Sequence, residues 1–177
     1  MTKENPLSLF KFFSGVAPET LEIIARKSEI REFDSGAVIF HCYEPAEHLY
    51  GLLEGEVDLS LVFKDKILKT EIEYEEAIQA TFVDEEKSIV VDTVREKQVF
   101  GWASLVGPGH RTVTARCKEP SRVFVIPADE LKVMFEADHS LGYTIMEKLS
   151  NIISKRLENR TAKLIETWGE AFDADKI

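Results

Sequence analysis

The sequence predicts a mainly β fold with flanking helices: a β-sandwich, jelly roll or barrel that precedes one long C-terminal helix. Two patterns predict it. Short strand-like segments separated by turn residues recur roughly every 8–12 residues, which is typical of these all-β architectures. After Pro127 the apolar residues change to helical spacing and keep it for about 30 residues.

Two short helices are expected before the first strand. Asn5 can cap a helix that has Pro6 at its first position. Pro18 can begin another helix, in which Leu21 and Ile24 have helical spacing.

Eight strand-like segments follow these helices. Turn residues such as those at 34–36 and 54–56 separate them. In 57–63, apolar and polar residues alternate, as in a strand that is buried on one face. The segments are 30–33, 37–40, 49–53, 57–63, 89–91, 99–100, 112–115 and 123–126.

The stretch 64–87 interrupts this rhythm with a run of acidic residues. Enough apolar residues remain among them for two strands. Two interpretations stay open: a long solvated hairpin, which is the usual meaning of a charge run, or a flap that binds a partner. The acids in its later part are Glu71, Glu73, Glu75, Glu76, Asp84, Glu85 and Glu86.

The C-terminal part is predicted to be helical, with a short helix over 128–136 and a long one from Asp138. The long apolar stripe either packs on the core of its own chain or pairs with the same helix of a second subunit. We expect a homodimer, with Ile145, Leu149, Ile152 and Leu157 in the interface. The predicted division is therefore 1–137 for the β domain, 138–168 for the dimerisation helix and 169–177 for a frayed tail.

Composition and charge restrict the choice of partners. The 177 residues include 32 acids and 22 bases, which gives a net charge of -10. Such a surface repels nucleic acid and anionic membranes. The sequence has no apolar run of the ~18 residues that a membrane span needs and no secretory signal. Cys42 and Cys117 are expected to be reduced thiols, and the protein is expected to be cytoplasmic.

The segment 100–115 is the most informative for function. Gly101 permits a tight turn, and Trp102, Ala103 and Ser104 can form one helical turn with free amides. Arg111 and Thr112 are predicted to open the next strand. Free amides that face an arginine form a site for an anion, because a guanidinium can hold two phosphate oxygens. The alternative is a surface turn with a solvated arginine.

The order and spacing of several motifs resemble the cyclic nucleotide-binding domain family, which includes the catabolite activator protein. The resemblance covers about 7–160, nearly the whole chain. The segment 100–115 resembles the phosphate-binding cassette of the family, and the long helix resembles its dimer helix. The other matching segments are 12–16, 33–36, 38–40, 44–50 and 53–57.

This resemblance implies an eight-stranded β-roll (a double-stranded β-helix or jelly roll) whose ligand repositions the C-terminal helices. It also implies that Arg111 contacts the exocyclic oxygens of a cyclic phosphate. Thr112 and the amides of Ala103 and Ser104 would assist. On this basis, Arg111→Ala is expected to abolish ligand binding with little loss of fold.

Two residues depart from the family pattern. Trp102 stands where the family has an acidic residue that binds the ribose hydroxyl, and Tyr43 stands where it usually has glycine. Loss of one charge-assisted hydrogen bond costs about 1.5–3 kcal/mol, or roughly ten- to a hundredfold in affinity. A ligand other than cyclic AMP or cyclic GMP is therefore expected, or a vacant fold.

The expected downstream action also differs from the DNA binding of the transcription factors in the family. Too few residues follow Leu157 for a helix-turn-helix domain, so direct DNA binding is not expected. We expect a stand-alone sensor or regulatory protein that binds a small anionic ligand and signals through its C-terminal helix. The alternative is a ligand-free β-roll that binds partner proteins.

An enzyme or a metal protein is not expected. The four histidines lack the His-x-His spacing of a cupin-type metal site, and no Gly-x-Ser-x-Gly motif occurs. Neither cysteine has a recognisable catalytic partner. No catalytic residue, metal ligand or cofactor is therefore predicted, apart from a possible cyclic nucleotide or other small phosphate ligand. The histidines are His41, His48, His110 and His139.

Overall fold

The computed structural model describes residues 5–74, 77–107 and 109–174. Two antiparallel four-stranded sheets make up the β-roll in this part of the chain. The strands are β1 (Glu29–Phe33), β2 (Val38–Phe40), β3 (His48–Glu54), β4 (Val57–Tyr74), β5 (Ala77–Val94), β6 (Val99–Phe100), β7 (Thr114–Cys117) and β8 (Ser121–Pro127). The first sheet has the order β1-β8-β3-β6 and the second β2-β7-β4-β5. The predicted mainly β fold with flanking helices is confirmed.

Helices flank the roll at both ends of the described chain. Asn5 caps the first 3₁₀ helix as predicted, because its side-chain oxygen accepts a hydrogen bond from the Leu7 amide at 3.0 Å. None of the described helices is both long and apolar enough to cross a lipid bilayer. The α-helices are α1 (Pro18–Lys27), α2 (Ala128–Ala137) and α3 (His139–Ala174), and the 3₁₀ helices are Pro6–Leu9, Lys11–Phe13 and Trp102–Ser104.

Strand β8 separates two apolar cores. Val123 and Val125 point into the core between the two sheets, together with residues such as Leu59. Phe124 and Ile126 point the other way, into a core shared with the helices. An uninterrupted apolar run suits a strand whose two faces are both buried, which accounts for the sequence of this segment.

The acidic stretch belongs to a β-hairpin. β4 and β5 are each 18 residues long and stay paired from Val57↔Val94 to Tyr74↔Ala77. The hairpin interpretation is therefore confirmed for the backbone, whereas binding of a partner stays a prediction. Glu75 and Glu76 of the predicted segment lie outside the described residues.

The apolar packing of helix α3 on the roll comes from its first half. Leu141, Ile145 and Leu149 are buried in the core shared with the helices. Ile145 and Leu149 were predicted to contact a second subunit, and this assignment is wrong because they lie inside their own chain. Leu157 is 65% exposed. The helix also continues to Ala174, past its predicted end at Trp168.

Candidate anion site

The predicted anion-binding residues lie around one small cavity of about 30 Å³, the cassette cavity. The turn after β6 supplies one wall, and the chain before β7 supplies another. Helix α3 covers part of it. The lining residues are Phe40, Leu59, Gly101, Trp102, Ala103, Arg111, Thr112, Val113, Arg156 and Arg160. Of the predicted site residues, Ser104 does not line the cavity.

The turn depends on Gly101. Its φ of +74° lies in the left-handed region that favours glycine, and a Cβ here would lie 2.8 Å from Nη1 of Arg111. The Gly101 carbonyl accepts hydrogen bonds from the Ser104 amide at 3.2 Å and from its hydroxyl at 3.0 Å. The Ser104 amide is thus used inside the turn, and its contribution to anion binding stays a prediction.

Arg111 is held by main-chain oxygens. Its side chain is buried, and Nη1 donates to the Gly101 carbonyl at 2.8 Å while Nη2 donates to the His48 carbonyl at 2.9 Å. The guanidinium carbon lies 4.3 Å from the centre of the Phe40 ring. These contacts tie β3 to the turn. From these contacts we expect Arg111→Ala to destabilise the fold, whereas the family resemblance implied little loss of fold.

Burial and nearby charges oppose each other at this arginine. Burial lowers the pKa of Arg111, and Tyr50 and Glu44 act in the opposite direction. Burial disfavours the charged form of Tyr50 as well, which for this acidic hydroxyl raises the pKa. An arginine stays protonated throughout the ordinary pH range, so the group keeps its charge. Its Nε is buried and meets no hydrogen-bond acceptor among the described residues, so its N–H is unpaired and can donate to a ligand.

The chain around Arg111 is not a regular strand, contrary to the prediction. β7 begins only at Thr114. The Arg111 amide donates to the Glu44 carbonyl at 2.8 Å, and the Arg111 carbonyl accepts from the Tyr43 amide at 2.9 Å. This pairing with the β2–β3 loop replaces pairing with the sheet. Tyr43 has a φ of +71°, which explains why glycine is usual at this position in the family.

Trp102 both lines the cavity and packs against the core shared with the helices. Its half-buried indole occupies the position of the acidic residue in the family pattern. A water molecule takes up about 30 Å³ of liquid volume, so the cavity as it stands is too small for a nucleotide.

Two arginines of α3 complete the wall of the cavity, and neither was among the site residues predicted from the sequence. Arg156 places Nε 3.0 Å from Oδ2 of Asp92 and donates from Nη2 to the Val99 carbonyl at 3.2 Å. Burial lowers the pKa of Arg156, while Asp92 opposes this. Arg160 lies one turn further along the helix. One feature of the sequence could have indicated Arg156: it is a charged residue within the apolar stripe of the long helix.

The other titratable residues noted in the sequence take no part in this cavity. Among the described residues, no three His, Cys, Asp or Glu side chains are grouped as a metal site. Cys117 is buried, and burial raises the pKa of its thiol. Cys42 is half-buried, with its sulfur 3.7 Å from the Arg111 carbonyl.

Together, the β-roll and the turn after β6 define the class of β-roll domains found in regulatory proteins. The family described as "Cyclic nucleotide-binding domain" matches residues 30–138. The chain therefore belongs to the cyclic nucleotide-binding domain family. A comparison with curated proteins gave no match.

Solved structures agree with this assignment. A protein from Geobacter metallireducens, described as a cyclic nucleotide-binding protein, is 30% identical with a TM-score of 0.65; the alignment covers 89% of this chain and 99% of that one. A c-di-GMP-responsive global regulator from Xanthomonas campestris is 21% identical (TM-score 0.61, coverage 84% and 63%). The catabolite activator protein of Thermus thermophilus is 18% identical (TM-score 0.59, coverage 88% and 62%). The last two show similarity of fold.

Proposed function

We propose that this protein is a non-enzymatic cytoplasmic regulator that binds a small phosphate-bearing anion in the cassette cavity and signals through α3. The observation that carries this proposal is the charge of the cavity wall. Arg111, Arg156 and Arg160 line it, and no acidic residue does so among those described. Three arginines around one cavity, in a chain with a net charge of -10, favour an anion at this place.

The ligand would connect the roll to the helix. Arg111 belongs to the roll, whereas Arg156 and Arg160 belong to α3, so an anion between them contacts both. Because the cavity holds about 30 Å³, entry of a phosphate group requires α3 or the cassette to move. A ligand shifts the position of α3 only if it binds the two arrangements with different affinity.

Ordinary cyclic AMP and cyclic GMP are not the favoured ligands. Trp102 carries an indole N–H donor and supplies no carboxylate for a ribose hydroxyl. The fold itself accommodates other signals, since the Xanthomonas campestris regulator responds to c-di-GMP. A different phosphate-bearing ligand is consistent with both points.

A second candidate function is a ligand-free β-roll that binds partner proteins. The main-chain contacts of Arg111 favour it, because both Nη atoms already have acceptors. The packing of Trp102 on the core favours it too. In this case the cavity stays as small as it is in this structure.

Substitution of Arg160 separates the two candidates without disturbing Arg111. Arg160 is exposed, so Arg160→Gln should leave the fold intact. Loss of one charge-assisted contact should weaken anion binding by roughly tenfold. Isothermal titration calorimetry with cyclic AMP, cyclic GMP, c-di-GMP and inorganic phosphate measures this.

Lys148→Gln is the matched control, because Lys148 lies on the same helix and does not line the cavity. It should leave every affinity within twofold of the wild type. If none of the four compounds binds the wild-type protein, the ligand-free candidate stands and the sensor proposal fails.

We infer that the second half of α3 forms a homodimer. Leu157, Leu164 and Trp168 are exposed by 65%, 54% and 60%. With Thr161 they follow the four-three-four spacing of a coiled-coil seam. The interface of this proposal thus keeps Leu157 from the predicted set and lies further along the helix than Ile145, Leu149 and Ile152. Ile152 is half-buried against the core shared with the helices.

The double substitution Leu157→Asp and Leu164→Asp should convert the dimer to a monomer, because two carboxylates would be buried opposite their own copies. Sedimentation equilibrium should show twice the mass of one chain for the wild type and the mass of one chain for the variant. Tyr143→Asp, at a side chain that is 73% exposed in the first half of the same helix, should remain dimeric. A wild-type protein that sediments as a monomer contradicts the inference.

A further inference from the structure

A second cavity of about 750 Å³ lies between the N-terminal 3₁₀ helices, the turn that connects β5 to β6, and α3. We call it the basic cleft. Its volume falls within the roughly 300–1,000 Å³ that is typical of small-molecule sites. Its charged lining residues, among those described, are the cations Lys11, Arg95, Lys97, Lys155 and Arg156 and the acids Asp92 and Glu96.

The charge of the basic cleft is opposite to that of the whole chain. Five cations and two acids line it among the described residues, in a protein with a net charge of -10. Asp92 is already neutralised by Arg156, whose Nε lies 3.0 Å from Oδ2. Lys155 has Glu158 at 3.4 Å, but 72% of the Lys155 side chain is exposed, so this pair is weak. The local potential therefore favours an anion.

The cleft also has an apolar wall. Phe12 and Val99 are buried residues that line it, and Ile152 of α3 is half-buried. Leu9 lines the cleft as well and is half exposed. A purely inorganic anion would leave the accessible part of this wall, Leu9 and Ile152, in contact with water. A ligand with an apolar body would cover it and gain the corresponding free energy of burial.

We propose that the basic cleft binds a small amphipathic anion, which places its acidic group among Lys11, Lys97 and Lys155 and its apolar body against Leu9 and Ile152. This site lies outside the cassette and goes beyond the function proposed above. Arg156 lines both cavities. A ligand in the cleft therefore reaches the residue that fixes α3 to Val99 and Asp92, and can modulate the position of the helix.

Octyl phosphate, used below its micelle concentration, is the probe for this proposal. Isothermal titration calorimetry should show one molecule bound per chain, weakened by added salt. Lys11→Glu and Lys155→Glu should each reduce the affinity at least tenfold, because each replaces an attraction with a repulsion. Octanol and octyltrimethylammonium, which have the same tail without the anion, should bind at least tenfold more weakly.

Lys148→Glu is the matched control, two turns earlier on the same helix, and should stay within twofold of the wild type. Circular dichroism and thermal unfolding establish that each variant folds. Equal binding of octyltrimethylammonium, or unchanged affinity in both cleft variants, overturns the proposal. If Arg160→Gln alone abolishes octyl phosphate binding, the probe occupies the cassette cavity, which also overturns it.

Discussion

Arg111→Ala is expected to lower the free energy of unfolding by about 3–5 kcal/mol, because it removes two charge-assisted hydrogen bonds to main-chain carbonyls, each worth about 1.5–3 kcal/mol. The carbonyls are those of Gly101 and His48, which the guanidinium joins at 2.8 Å and 2.9 Å. The change also removes the cation that lies over the Phe40 ring. Since typical domains are stable by about 5–15 kcal/mol, this is a large share of the total. Urea denaturation measures it.

Arg111→Lys distinguishes the structural role of the side chain from its charge. Lysine keeps the charge but cannot place two donors in the planar fork that reaches both carbonyls. We therefore expect an intermediate loss of stability. Arg116→Ala is the control, because that arginine lies on the exposed face of β7 and donates to the Gly36 carbonyl. If Arg111→Ala is as stable as Arg116→Ala, the main-chain contacts of Arg111 contribute little.

Much of the roll could be predicted from sequence because its strands have local signals. The alternation in 57–63 and the apolar run 123–126 both reappear in strands. Val57 and Leu59 are buried as the alternation predicts, whereas Leu61, beyond the register shift at Leu59/Ser60, is 43% exposed. The end of α3 could not be predicted in the same way. The predicted tail began at Gly169, but a glycine inside a helix costs only about 1 kcal/mol, which the surrounding helix formers outweigh.

The candidate site was predictable only where its residues are close in sequence. The turn at Gly101 and the arginine after it form one segment, and both line the cassette cavity. The partner of Arg111 at His48 could not be predicted, because the carbonyl involved belongs to the main chain of another strand. Arg156 comes from a helix far along the chain, and only the packing of α3 on the roll brings it to the cavity.

Gly51→Ala is expected to cost about 3 kcal/mol of stability, at the upper end of what overpacking produces. A Cβ at Gly51 would lie 2.2 Å from both Cε1 and Cζ of Phe124. Phe124 cannot move aside easily, because its ring meets Phe10 edge to face at 4.8 Å and lies 6.1 Å from Phe13. The clash therefore falls on the strand β3 that also positions His48. Thermal and urea unfolding would both reveal the loss.

A double-mutant cycle tests whether this ring is the cause. Phe124→Leu alone should destabilise the core by leaving a cavity. In the double variant Gly51→Ala with Phe124→Leu, the added methyl group fills part of that space. The double variant should therefore lose about 1–3 kcal/mol less stability than the sum of the losses in the two single variants. Gly169→Ala, where a Cβ meets nothing within 4 Å, should be neutral or slightly stabilising. Strict additivity in the cycle would show that the Phe124 ring is not what excludes a side chain at position 51.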